Sequence, residues 1–216
     1  MKYARKARAE QTESTRERIL DTAERLFGEH GVFAVSNRQV SEAAGQGNNA
    51  AVGYHFGSKN DLVRAIVRRH AEPMTVIRRR VLAEVGASAE VRDWMVCVVR
   101  PITEHLAGLG NPSWYARFAA QLVTEPNLRE LTATEVGDLP TLQEVFRGLD
   151  RVLPELSPEV RRERDDMAYT LILHFCARRE RTLPQGGDVR PVWKTTESSL
   201  IDALEGLYRA PVSRIA

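Results

Sequence analysis

Four helix-start signals, and the glycines that follow them, constrain the first seventy residues to a series of short helices. Ser14 with Glu17, Ser36 with Gln39 and Ser58 with Asp61 each place a hydroxyl at an N-cap and an acidic or amide side chain three residues on. That pairing satisfies the free amides of a first helical turn. Asn48 or Asn49 supplies a further N-cap. Glycines stop the elements at Gly31, Gly45 to Gly47 and Gly57, where a left-handed cap carries no Cβ penalty. Apolar residues recur at helical spacing between these signals: Ile19, Ala23, Leu26 and Phe27, then Val40, Ala43 and Ala44, then Ala51, Val52 and Phe56, then Leu62, Val63, Ile66 and Val67. Residues 1 to 13 are polar and basic without such a period and are expected to form a mobile arm.

Two short helices joined by a glycine turn, under a longer first helix, match the geometry of a DNA-binding helix-turn-helix. A compact helical hairpin with an ordinary turn gives the same spacing. On the DNA-binding reading the helix after Asn48 enters a groove. Ala50, Ala51 and Gly53 let it approach closely, Asn48 and Asn49 face base edges, and Tyr54 and Lys59 reach phosphates. Charge leans the same way. Up to His70 there are 12 Lys and Arg against 8 Asp and Glu, in a chain whose net charge is only +2. A basic end suits a polyanion.

The run Thr15-Arg16-Glu17-Arg18-Ile19-Leu20-Asp21-Thr22-Ala23-Glu24-Arg25-Leu26-Phe27 resembles the first helix of the tetracycline-repressor (TetR) family. So do Gly31-Val32, then Ser36, Arg38, Val40 and Ala43-Ala44-Gly45, and above all Tyr54-His55-Phe56-Gly57-Ser58-Lys59 leading to Asp61-Leu62. Between Gly45 and Phe56 the chain has one residue more than the commonest family spacing, which lengthens the turn at Gln46 to Asn49. The resemblance implies an all-α fold: a basic arm over residues 1–14, a three-helix helix-turn-helix DNA-binding domain over 15–70, and a helical ligand-binding and dimerisation domain over 71–216. It implies a cytoplasmic transcriptional regulator, by default a repressor. Its partners would be a double-stranded, palindromic DNA operator, a second copy of itself and a small, largely apolar effector. Its DNA-facing residues would be Ser36, Arg38, Asn48, Asn49, Ala50, Tyr54, His55 and Lys59. The competing reading is a helical small-molecule-binding protein whose DNA recognition has degraded.

The remaining two-thirds stays helical and is punctuated by proline. Pro73 is expected to break the connecting helix after Ala71, and Pro101 to free the Cys97 carbonyl inside the next one. Asn111-Pro112 and Ser157-Pro158 read as N-caps followed by proline at the first helical position. Apolar stripes over about 158 to 181 and 193 to 208 suit the family's four-helix dimer bundle. Trp94, Met95, Val98, Trp114, Phe118 and Phe146, with His174 as a polar handle, are candidate ligand-lining residues, and aromatics at this spacing also serve simply as core. No metalloprotease, hydrolase or phosphate-loop motif occurs, and the histidines have no metal-ligand spacing, so neither an enzyme nor a cofactor nor a metal is expected. Cys97 and Cys176 lie in apolar patterns and read as reduced thiols. The longest apolar run, Trp94 to Val99, is far short of the ~20 residues a membrane span needs, and the basic start carries no secretory pattern.

Overall fold

The computed structural model describes residues 2–47, 50–184 and 186–212, with side chains described from residue 10 onward. Among them are ten α-helices and no strand: α1 (Lys2–His30), α2 (Asn37–Ala43), α3 (Ala51–Phe56), α4 (Lys59–Val85), α5 (Val91–Leu109), α6 (Tyr115–Thr124), α7 (Pro126–Val136), α8 (Pro140–Val152), α9 (Pro158–Arg181) and α10 (Arg190–Arg209). The first three helices and the start of α4 form an N-terminal unit. Helix α4 then runs into the body, where it packs on α5, α7 and α8, while α6 lies against both α1 and α9.

Local chemistry accounts for several boundaries. Ser36 accepts from the Gln39 amide while the Gln39 side chain accepts from the Ser36 amide, and Ser58 and Asp61 form the same reciprocal pair. Ser157 caps α9 with Pro158 at its first position. Other boundaries differ from expectation. The expected arm is the beginning of α1, which is continuous from Lys2 to His30. Its alanines, lysines, arginines, glutamates and glutamines are strong helix formers, and nothing before Gly28 interrupts them. Ser14 therefore lies inside the helix and caps nothing.

Pro73 does not end α4 either. It removes one amide and costs about 3 kcal/mol, but Leu62, Ile66 and His70 before it and Val81 and Leu82 after it are all buried. The connecting helix thus continues from Ala71 to Val85. The Asn111-Pro112 bond is cis and α6 begins only at Tyr115, so Asn111 is not its cap. The Asn111 amide instead donates to the Pro184 carbonyl at 2.6 Å. Helix α7 has no counterpart among the expected elements.

The N-terminal unit is joined to the body by a buried polar network. Glu24 of α1 accepts from His70 Nε2 of α4 at 2.7 Å and from Arg69, which also reaches Asp21. His70 Nδ1 lies 2.7 Å from His105 Nε2 of α5, and the Tyr115 ring of α6 stacks on His70 with centroids 3.7 Å apart. An ionised carboxylate only accepts, so His70 Nε2 carries the proton in its pair with Glu24. Burial opposes the charge on Glu24, but His70 and Arg69 outweigh it and hold the carboxyl below its ordinary range. Burial, and then the charge of His70, pushes His105 down to about 4.

Two measurements follow from this packing. A Cβ on Gly148 would lie 2.0 Å from Trp94 Cζ3. Gly148→Ala therefore lowers stability by about 1–3 kcal/mol in thermal denaturation despite alanine's better helix propensity, because overpacking outweighs a gain of at most ~1 kcal/mol. For His105 the folded pKa is depressed from 6.5 to about 4, so between those values the unfolded chain binds the extra proton. Its contribution is complete above pH 6.5 and is lost as pH falls toward 4, up to about 3 kcal/mol. Denaturant titrations across this range are expected to show a flatter pH slope for His105→Gln than for the native chain; equal slopes would contradict the assignment.

Candidate nucleic-acid interface

Helices α2 and α3 are held at their angle by a tight turn and one buried hydroxyl. Gly45, at φ +68°, takes the left-handed conformation that turns the chain after α2. The Gln46 amide donates to the Ser41 carbonyl at 3.0 Å, and its side chain donates to the Ala44 carbonyl at 3.0 Å. Helix α3 opens at Ala50, which has no capping side chain. The amide of Val52, in its first turn, is instead received by Ser41 Oγ of α2 at 3.3 Å. Ser41 is fully buried, and its hydroxyl donates to the Asn37 carbonyl at 3.0 Å.

The far end of α3 is tied to α1. Arg16 donates to the His55 carbonyl at 3.2 Å, and its guanidinium lies 4.5 Å from the centre of the Phe56 ring. With Ala51 and Val52 buried, α3 turns Ala50, Gly53 and Tyr54 outward, and Tyr54 is 80% exposed. Among the described residues, and apart from the backbone of α3 itself and the glycine's chain neighbours, nothing lies within 4 Å of where a Gly53 Cβ would stand, so this face is smooth enough for close approach.

The DNA-facing residues expected from sequence fall into distinct positions. Ser36 is engaged as the cap of α2. Arg38 is exposed and pairs with Glu42 at 2.7 Å, which raises its pKa. Asn48 and Asn49 lie outside the described residues. Ala50 is exposed at the head of α3, and the His55 ring meets Tyr54 edge-on with centroids 5.0 Å apart. Lys59 is half-buried and donates to the Val32 carbonyl at 3.1 Å, and burial lowers its pKa. It therefore stitches α4 to the loop after α1. Asp61, accepting from Ser58 and Arg64, is held below the ordinary carboxylate range. Ser41 and Arg16 are not legible as site residues from sequence, because neither stands at a turn or cap in its own helix.

The candidate ligand-lining residues are not gathered around one space. Trp94 and Met95 are buried, and Trp94 Nε1 donates to the Ser88 carbonyl at 3.0 Å. Val98 is half-buried on α5. Phe118 stacks on Phe27 across the α1–α6 contact at 6.2 Å. Phe146 and His174 are exposed on α8 and α9. Trp114 alone of these borders the cleft of about 520 Å³ beside the Glu24–His70–His105 network, and its indole donates to Glu29 at 3.1 Å.

Gln121 completes the joint. Its side chain accepts from the Val32 amide at 2.9 Å and donates to the Phe27 carbonyl at 2.6 Å. Gly28 permits the close approach there, since a Cβ would lie 2.9 Å from the Trp114 carbonyl oxygen. The unit carrying α3 is thus clamped to the body through α4 and through α1–α6.

Residues 19–66 match the family described as "Bacterial regulatory proteins, tetR family". Over 87 residues the chain is 36% identical to the "HTH-type transcriptional repressor AcnR" of Corynebacterium glutamicum, a stretch covering 38% of this chain and 46% of that protein. The protein of the same name from Corynebacterium diphtheriae is 34% identical over 80 residues, covering 37% of this chain and 40% of that protein. The chain thus spans less than half the length of these curated relatives. Among solved structures, the TetR family transcriptional regulator PfmR from Thermus thermophilus aligns with a TM-score of 0.54 at 20% identity, covering 92% of this chain and 98% of that one. At that identity the likeness concerns the fold. Residues 19–66 thus match the tetR family of bacterial regulatory proteins, within an all-helical fold similar to that of PfmR.

Proposed function

We propose that this chain is a DNA-binding transcriptional repressor that works as a homodimer on a palindromic operator and is released by a small-molecule effector. The observation that carries the reading is the outward face of α3. Ala50, Gly53 and Tyr54 are presented to solvent on a helix whose two ends are fixed by Ser41 and Arg16. A groove-reading helix needs both a bare face and a rigid seat. Tyr54 would position the chain on a phosphate, with Arg38 and the remaining donors of Lys59 adding charge. Asn48 and Asn49 carry the amides suited to adenine. Repression is the role that the AcnR relatives are named for.

A second copy fits the outer face of α9, where Met167 and Leu171, one turn apart, are exposed and Phe175 is half-buried. Two copies on a two-fold axis would present two α3 helices to successive major grooves. Effector control would pass along α4, which is one unbroken element from Lys59 to Val85 and carries His70 of the buried joint. An effector moves such an equilibrium only by its differential affinity for the two forms, commonly ~1–3 kcal/mol.

Selection of bound sites from random DNA is expected to return a two-fold symmetric sequence with half-sites about one helical turn apart. Recovery of no motif would favour a ligand-binding protein without DNA recognition. Tyr54→Ala is expected to weaken binding to every duplex about tenfold with stability unchanged within ~0.5 kcal/mol, since its side chain is exposed. Unaltered affinity for random DNA would remove Tyr54 from the interface. Lys59→Ala is expected to lower the salt slope of binding by about one and also to lower Tm, because the same ammonium holds the Val32 carbonyl.

A further inference from the structure

Arg78, on α4, is only 9% exposed, yet among the described residues it makes no hydrogen bond, ion pair or ring contact. The other well-buried arginine does not share this condition: Arg164 gives its Nη1 and Nη2 groups to the carbonyls of Tyr208 and Ala210, both at 2.6 Å. The partly buried Arg69 and Arg117 pair with Glu24 and Glu180. The titratable groups near enough to act on Arg78 are Cys97 of α5 and Tyr115 of α6. Neither is charged at neutral pH. Burial pushes the Cys97 thiol up to about 11 and holds the Tyr115 phenol far above its ordinary value. A guanidinium cannot relieve burial by losing its proton, so it requires an anion or a set of acceptors.

A second group with the same deficit stands one turn away. Thr75 Oγ1 is buried without a partner, and positions three apart share a helix face. Thr103, Thr132 and Thr196 return their hydroxyls to the carbonyls four residues back, at Val99, Leu128 and Val192. Thr75, like Thr141 of α8, does not. Arg78 Nε and Thr75 Oγ1, two buried donors without a partner among the described residues, thus stand three positions apart on α4, and the groups nearest the Arg78 charge are Cys97 and Tyr115.

We infer that Arg78 and Thr75 form the head-group site of the effector, and that the effector is a small oxyanion with an apolar body, one oxygen pairing with the guanidinium and another accepting from Thr75. The inference rests on the effector-controlled reading above and gives that effector its charge. The apolar body follows from the surroundings, where Met74, Ile77 and Val81 of the same helix pack into the core. The site also lies on the helix that carries His70, eight positions earlier, so occupancy is felt at the joint to the DNA-facing unit.

The test uses the full chain with benzoate and octanoate as carboxylates, inorganic phosphate, and benzamide as the uncharged counterpart of benzoate. A carboxylate at a hundred times its dissociation constant is expected to raise Tm by about 5–10 °C, with benzamide giving no shift. A response to phosphate alone would support the anion site and assign it a phosphate group in place of a carboxylate. Arg78→Met is expected to raise the Tm of the ligand-free protein, by removing an uncompensated charge, and to abolish the anion response. Thr75→Val is expected to weaken it about tenfold. Arg78→Lys, which keeps the charge, is expected to retain a weakened response should the methionine variant fail to fold. Equal shifts with benzoate and benzamide, no shift with any anion, or an undiminished response in Arg78→Met would each overturn the site. Operator affinity without any anion tests the repressor reading separately: DNA binding with no anion response overturns the site alone, and an anion response without DNA binding overturns the repressor reading alone.

Discussion

The carboxylate of Glu24 is the point on which the two parts of this molecule depend. It is buried between α1 and α4, charged, and held so by His70 and Arg69, with His105 and Tyr115 closing the network from α5 and α6. A buried charge is tolerable only while its partners stay in place, so the four helices must keep their relative positions or lose the whole set of hydrogen bonds together. That makes the joint cooperative. A shift of α4 within the body cannot leave α1 unmoved, and α1 carries Arg16, which holds the end of α3. The cleft opens beside this joint, and Arg78 stands further along α4.

A second organising device is the supply of helix caps from distant elements. Helix α6 has no capping side chain of its own at Trp114. Its first amides, at Ala116 and Arg117, are received by the carboxylate of Glu180 from α9, at 3.2 and 3.0 Å, and Ser113 donates to the same group at 2.8 Å. Arg164 of α9 serves the carbonyls at the end of α10 in the same manner, and Ser41 serves the start of α3. In each case the favourable placement follows the helix dipole: an acceptor at the amide end, a cation at the carbonyl end. Helix α9 thereby fixes two neighbours through two buried charged residues, while Met167 and Leu171 on its outer face are exposed.

These remote caps explain which boundaries could be read in advance. The starts of α2, α4 and α9 depend on residues within the same turn, Ser36 with Gln39, Ser58 with Asp61, and Ser157 with Pro158, and a local rule suffices for them. The starts of α3 and α6 depend on residues eleven or more positions away, so a local rule points to Asn111 where Glu180 acts. Proline misleads for a related reason. The cost of Pro73 is local and visible, whereas the burial of Val81 and Leu82 that outweighs it belongs to the packed body. The ligand-lining candidates spread apart because helical spacing tells which face is apolar and leaves open which helix it meets. Phe118 meets Phe27, and Phe146 meets solvent.

By itself the sequence determined the helical class, the order and approximate extent of the helix-turn-helix elements, and the resemblance carried by Tyr54 to Leu62, because caps, glycines and apolar periods act over one or two turns. The tertiary structure alone decided that α4 is unbroken to Val85, that Lys59 braces the Val32 carbonyl, and that Glu24, His70 and His105 meet. Those outcomes depend on burial and on charges brought together from far apart in the chain, and the free energy of a buried pair is set by its surroundings and not by its neighbours in sequence.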